Sequence, residues 1–248
     1  MSSEAQQFFN SIAGSYKSKY DAAQPFHYYF FTERLAEATR EVEIENKQVL
    51  DVGAGTGDLY DYLMHHYRLK SYHASDVASE MLANSRIPKE AYCVGNIYET
   101  DYAVRQFDLA FMLGVTTYLS AEELEKNFQH IASLLKPGGK FIVTFTNRHS
   151  LDWFMRWFLK LPVRILGGRK RVLANVKIYP LSRAEAEMAL SKYFNVTEAR
   201  WLNHTVFPSY ILLKKPMVWL AKKLHKPLQQ SVFSSLLSSD VLLVSTVK

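Results

Sequence analysis

Val49-Leu50-Asp51-Val52-Gly53-Ala54-Gly55-Thr56-Gly57-Asp58 is the stretch that decides the fold. An apolar run over 47–52 enters a glycine turn, and a helix is expected to open from it over 58–67. Glycine is needed where the backbone takes positive φ or must approach a ligand closely. Working outward, short strands are expected over 71–75, 91–94, 107–113 and 140–146. Helices are expected over 79–85 and 121–135. The second carries Leu124, Phe128, Ile131 and Leu135 at helical spacing behind a Ser120/Glu123 capping box. Strands alternating with helices imply an α/β fold, a doubly wound Rossmann-like parallel sheet with right-handed crossovers. Ligands bind such sheets beyond the carboxyl ends of the strands. The glycine loop, Asp76, Asn96 and Leu113 all fall on that rim. Further helices are expected over 4–40 and 182–193, and strands over 195–202 and 241–247.

The chain has 248 residues, enough for one domain with a full core. Cys93 is its one cysteine, which excludes an internal disulfide and a cysteine zinc cluster, and no metal site is read from the sequence. The N-terminus lacks the basic and apolar regions of a signal peptide, and no run approaches the roughly 20 apolar residues of a membrane span. A reducing, cytoplasmic setting follows. The net charge of +6 is uneven: −5 over residues 1–150 and +11 over 151–248. The basic half is read either as a contact for an anionic surface or as a solvated face.

The loop is G-x-G-x-G, one residue shorter than the G-x-G-x-x-G that holds a dinucleotide pyrophosphate. Asp51 precedes it and Asp58 follows it. Two carboxylates there would repel a pyrophosphate and suit a cation such as a sulfonium bearing an α-amino group. Asp76 ends the second strand about 20 residues on, where a carboxylate binds ribose hydroxyls in this topology. The bland alternative for Asp76 is an N-cap of the helix over 79–85.

With these residues together, the sequence resembles the class I S-adenosylmethionine-dependent methyltransferases, in the style of the ubiquinone/menaquinone C-methyltransferases and the methyltransferase domain 11/25 families. The resemblance is carried by Val49–Gly57, by Ala74-Ser75-Asp76-Val77-Ala78-Ser79-Glu80-Met81, by Val94-Gly95-Asn96-Ile97, by Phe107–Val115 and by Leu134–Lys140. It implies S-adenosylmethionine as cofactor and a seven-stranded sheet whose last strand pair is reversed. It also implies a cofactor site of Asp51, Gly53, Ala54, Gly55, Thr56, Gly57, Asp76, Val77, Met81, Asn96, Ile97, Leu113 and Tyr20. The family usually has Asp where this chain has Asn96, whose carbonyl oxygen can still accept from the adenine amino group. The family's His pair after the fourth strand is replaced by Thr116-Thr117-Tyr118. The chain divides by this reading into an N-terminal helical lid (1–44), a cofactor-binding core (45–146) and substrate-side insertions (147–180 and 204–238).

A sulfonium is already an activated electrophile, so the protein must align the acceptor and exclude water. A base is needed only for an acceptor that must lose a proton. His149 leads the candidates, with Tyr118 and Tyr16 beside it. Tyr16 and Tyr20 would shield the sulfonium with their rings, or serve as ordinary lid packing, and His27 and His204 are read as structural. In Leu151–Leu161, Asp152, Arg156 and Lys160 form one narrow stripe and all else is apolar. Arg164, Arg169, Lys170 and Arg171 follow. Between Pro216 and Pro227, Met217, Leu220, Ala221 and Leu224 share a face that Lys222, Lys223 and Lys226 oppose. Such segments suit an anionic membrane interface, a soluble cap over the acceptor, or an oligomer contact. The leading reading is thus a methyltransferase for an amphipathic or lipid-like acceptor, peripheral on the inner face of a membrane. A soluble small-molecule methyltransferase stands beside it. A nucleic-acid methyltransferase is disfavoured by the lack of a recognition module. A non-catalytic S-adenosylmethionine-binding protein and an NAD-dependent dehydrogenase complete the set.

Overall fold

A computed structural model describes residues 3–20, 22–165 and 176–248. Its centre is one seven-stranded sheet of β1 (Gln48–Val52), β2 (Ser71–Asp76), β3 (Tyr92–Val94), β4 (Phe107–Met112), β5 (Leu135–Thr146), β6 (Phe194–Leu202) and β7 (Asp240–Val247). The strand order is 3-2-1-4-5-7-6, parallel except that β7 runs antiparallel to both β5 and β6. This is a doubly wound Rossmann-like sheet, and the reversal expected at its end falls on β7.

The central strands are largely apolar because both of their faces are covered. Along β4, Ala110 and Met112 face one side, where they meet Phe128 and Ile131 of α5 (Ala121–Leu134) and Leu190 of α7 (Arg183–Ser191). Leu109 and Phe111 face the other, against Leu59 and Leu63 of α3 (Asp58–His66) and Leu35 of α2 (Pro25–Thr39). The capping box predicted for α5 is present: the Glu123 amide donates to Ser120 Oγ at 3.3 Å, and the Ser120 amide donates to Glu123 Oε2 at 2.8 Å.

Three local departures have physical causes. The helix expected over 4–40 is two, α1 (Ser3–Lys19) and α2, because Pro25 starts a new helix at its first turn. Strand β5 begins at Leu135 rather than Lys140: Leu135 pairs with Phe107, and the Pro137-Gly138-Gly139 turn is absorbed as a bulge, with Gly138 at φ +76°. The segment between Pro216 and Pro227 grows into α9 (Lys214–Gln229). Pro216 lies in the first turn, where its missing N–H costs nothing, and Pro227 in the last turn removes one bond only.

α1 lies over the β2–α4 turn, with α4 at Ser79–Ala83. Gln6 Nε2 donates to the Val77 carbonyl at 2.7 Å, and the Glu80 amide donates to Asn10 Oδ1 at 3.0 Å. α2 instead packs on α9 and β6. The remaining helices are α6 (Leu151–Ile165), α8 (Ser209–Leu212) and α10 (Ser234–Leu237). The side chains of Lys160 and Arg164, and all of Arg169, Lys170 and Arg171, lie outside the described residues. No helix among the described residues is long and apolar enough to cross a membrane.

Candidate active site

The order β2-β1-β4 puts the reversal of the winding between β1 and β4, and an open cavity lies at their carboxyl ends. The cavity measures about 250 Å³ and opens to solvent at its mouth. Of the residues named from sequence, Gly53, Gly55, Asp76, Val77, Met81, Asn96, Ile97, Leu113, Tyr16, Tyr20 and Tyr118 line it.

The glycine loop is clamped from within. Gly53, Gly55 and Gly57 all have positive φ, and the Gly53 and Ala54 amides donate to the Ser75 carbonyl at 2.7 and 3.1 Å. The Gly55 amide donates to Asp76 Oδ2 at 2.8 Å, and the Gly57 amide to the Ala54 carbonyl at 2.9 Å. These four amides are committed inside the protein and cannot cradle a pyrophosphate. That argues against a dinucleotide more strongly than the length of the motif. Asp76 also accepts from the Ala78 amide at 2.8 Å, so it caps the turn and lines the cavity at once. Burial raises its pKa, and the backbone hydrogen bonds oppose that rise. A carboxylate has about four acceptor positions, and the backbone amides do not fill them all. Asn96 donates from Nδ2 to Glu99 Oε2 at 3.0 Å, which orients its amide at the rim.

Other named residues sit elsewhere. Asp51 does not line the cavity: it is buried beneath the loop and accepts from the Tyr72 hydroxyl at 2.5 Å, and burial pushes its pKa up to about 7. Thr56 is fully buried and donates to Asp58 Oδ2 at 2.8 Å. Ala54 and Gly57 shape the loop from outside the cavity wall. His149 is exposed after β5 and does not line the cavity. The carboxyl groups that line the cavity are those of Asp76 and Asp240, not Asp51 and Asp58.

The tyrosines form one cluster. Tyr16 and Tyr20 rings lie 5.1 Å apart, their hydroxyls 3.3 Å apart, and Phe9 packs edge-on against Tyr118 at 5.1 Å. Burial raises the pKa of Tyr16 and pushes Tyr118 up to about 12, so both are neutral phenols near pH 7.

Two lining residues were invisible in the sequence. Arg34 on α2 reaches across the chain to Gly114, whose added Cβ would stand 2.5 Å from the guanidinium. Its carbon lies 4.2 Å over the Phe30 ring, and its buried Nε has no hydrogen-bond partner. Asp240 opens β7, which runs backwards and so delivers its first residue to the same rim. It accepts from Ser239 Oγ at 2.9 Å and Thr146 Oγ1 at 3.3 Å, and burial raises its pKa. Neither residue belongs to a local motif.

Residues 50–143, from the glycine loop to the middle of β5, match the family model of the methyltransferase domain. This match, together with the fold, supports a class I S-adenosylmethionine-dependent methyltransferase. Its cofactor is S-adenosylmethionine. Solved structures share the whole architecture of this methyltransferase at low identity. A Haloferax volcanii methyltransferase in complex with the Trm112 methyltransferase activator is 17% identical with a TM-score of 0.65, and 96% of each chain is covered. A Thermotoga maritima S-adenosylmethionine-dependent methyltransferase is 16% identical with a TM-score of 0.63, covering 98% of this chain and 99% of its own. Magnesium protoporphyrin IX methyltransferase from Synechocystis, with bound S-adenosylhomocysteine, is 13% identical with a TM-score of 0.62 and 98% of both chains covered. No curated protein matches this methyltransferase in sequence.

Proposed function

We propose that this methyltransferase acts on an amphipathic, lipid-like acceptor while docked on an anionic membrane surface. The supporting observation is the way α6 is turned. Asp152, at the head of its polar stripe, faces inward: it is buried, accepts from the Phe207 amide at 2.8 Å and pairs with Arg156 Nε at 2.6 Å. Arg156 Nη2 also donates to the Tyr210 hydroxyl at 2.5 Å. The aromatic arc is left outside, with Trp157 68% exposed beside Phe154 and Phe158. α9 shows a related rotation. Val218, Ala221 and Leu228 point inward; of the predicted face Ala221 is buried, Met217 and Leu224 are half-buried and Leu220 is exposed, and Trp219 is 63% exposed. Leu212, Leu213, Val232 and Phe233 are exposed on the flanking α8–α10 segment. The exposed Lys214, Lys215, Lys222, Lys223 and Lys226 belong to α9. Exposed tryptophan with lysine is the composition of an interfacial helix. Each lysine near an anionic leaflet contributes about 1 kcal/mol.

This segment abuts the cavity. Phe26 of α2 stacks on Tyr210 of α8 at 3.7 Å, and Phe30, one turn on, is part of the cavity wall. When bound, the cofactor supplies an activated methyl on a sulfonium. In the proposed site Asp76 holds the ribose hydroxyls, and Asn96 and Ile97 border the base. Arg34, with its unpartnered Nε, pairs with the cofactor's carboxylate. Tyr16, Tyr20 and Phe9 shut out water. Asp240 is positioned to take a proton from an acceptor hydroxyl or ammonium.

Vesicles test the acceptor class. Sedimentation with phosphatidylserine-containing vesicles should bind the protein, and Trp157→Ala with Trp219→Ala should reduce the bound fraction at least tenfold. Absence of binding to either anionic or neutral vesicles would overturn the membrane reading and favour a soluble small acceptor. Arg34→Ala has its own expected result, read by calorimetry. Its affinity for S-adenosylhomocysteine should fall at least tenfold, since a charge-assisted bond is worth about 1.5–3 kcal/mol. Its affinity for methylthioadenosine, which lacks the carboxylate, should not change. Equal losses for both ligands would place Arg34 elsewhere.

A further inference from the structure

Away from the cavity, α2, α9 and the segment after β6 meet in a polar cluster. Glu33 and Glu37 lie one turn apart on α2, His225 sits on the inward face of α9, and His204 follows β6. His225 Nδ1 is 3.0 Å from Glu33 Oε1 and 3.1 Å from His204 Nε2. We propose that Glu33, His204 and His225 form a binding site for a divalent transition-metal ion, with zinc as the fitting one.

The first argument is convergence. One atom from each residue, all within 4.8 Å of one another, points to a common centre. Two imidazole nitrogens and one carboxylate oxygen are a donor set for zinc and its neighbours, with a fourth position left for water. The second argument is that the outward atoms are already fixed. His225 Nε2 is 3.1 Å from Glu37 Oε1, His204 Nδ1 is 2.9 Å from Ser238 Oγ, and Glu33 Oε2 accepts from the Asn203 amide at 2.7 Å. Metal-binding histidines have this second set of partners, above all a carboxylate on the other nitrogen. The Tyr29 hydroxyl also donates to Glu33 Oε1, which leaves that oxygen a further lone pair.

Glu33 and Glu37 raise His225 to about 9, while burial holds His204 down at about 4, so His225 is the cation and His204 the acceptor. The groups facing His225 are Glu33 and Glu37 of α2 and His204 after β6. A raised pKa means that this contribution to stability is complete below the ordinary imidazole value of 6.5 and is lost as pH rises through about 9. A dication would replace the His225 proton and use the same lone pairs. It would also cross-link α2, which carries Arg34, to α9, which carries the exposed lysines.

Chelator-treated full-length protein is titrated with Zn²⁺ by calorimetry, and with Co²⁺ by visible absorption. The expected result is one ion per chain and the intense d–d bands of a four-coordinate Co²⁺. The dissociation constant should fall about tenfold per pH unit between about pH 7 and 8.5, because one proton must leave His225. His204→Gln and His225→Gln should each raise it at least a hundredfold, and Glu37→Gln about tenfold. Lack of stoichiometric binding by wild type up to millimolar Zn²⁺ overturns the proposal, and that result does not depend on how any variant folds. Binding unaffected by both histidine substitutions overturns it equally. Neither readout involves S-adenosylmethionine or vesicles.

Discussion

Asp76→Asn is expected to weaken S-adenosylmethionine binding by at least a hundredfold. One carboxylate does two things here. It accepts the Gly55 and Ala78 amides, which sets the glycine loop against the β2–α4 turn, and it turns its remaining lone pairs into the cavity. Two charge-assisted hydrogen bonds to ribose hydroxyls are worth about 3 kcal/mol or more together, which is roughly two decades in affinity. In the variant one oxygen becomes an NH₂, which faces an amide donor on one side or replaces a hydroxyl acceptor on the other. Calorimetry with S-adenosylmethionine reads the loss directly, and a thermal melt without ligand separates it from instability. An unchanged dissociation constant would remove Asp76 from the cofactor site.

Gly53→Ala should lower stability by about 2–4 kcal/mol, a fall in Tm of roughly 5–15 °C. Two separate costs combine. Gly53 has φ +76°, where an L side chain is strained by about 1–2 kcal/mol. The new Cβ would also stand 2.2 Å from Val115 Cγ2, an overlap that must push the residue after β4 out of place. The two can be told apart. Gly53→Ala with Val115→Ala removes the overlap and leaves the strain, so calorimetric melts should show partial recovery. A double variant no more stable than the single one would mean that the backbone carries the whole cost. An undamaged single variant would contradict the left-handed turn itself.

The alternation of short apolar runs with helical patterns located every strand within a few residues, because burial on both faces makes central strands largely apolar. The Ser120/Glu123 box was legible because a cap is made by residues three apart. The same holds for Asp76 on the rim, since the strand that ends there is local. The base candidate was the weak point. His149 follows β5 closely in sequence, yet it is exposed and away from the cavity. Asp240, nearly a hundred residues further on, lines the cavity because β7 is antiparallel.

Helical periodicity in α6 and α9 marks faces without saying which face is buried. In α6 the polar stripe and the apolar arc were both read from spacing, but spacing says nothing about which of them meets the protein. The Phe207 amide and the Tyr210 hydroxyl wait for Asp152 and Arg156, and a buried amide without an acceptor would cost about 1–3 kcal/mol. The aromatic arc is therefore the face that is left over. In α9 the contact of His225 with Glu33 and Glu37 accompanies the turn that brings Val218 and Ala221 inward and leaves Trp219 outside.

By itself the sequence determined the α/β fold, the glycine turn after β1, Asp76 at the rim and the cofactor class that these imply. All of these are carried by neighbours in the chain, through hydrophobic period, positive-φ glycines and fixed offsets. The tertiary structure alone decided that Arg34 and Asp240 face the cavity, that Asp51 is sealed beneath it, that the aromatic side of α6 is exposed, and that Glu33, His204 and His225 converge. Those placements depend on contacts between residues far apart in the chain. They are set by which buried donors and acceptors must be satisfied when the layers close, and no local pattern records that.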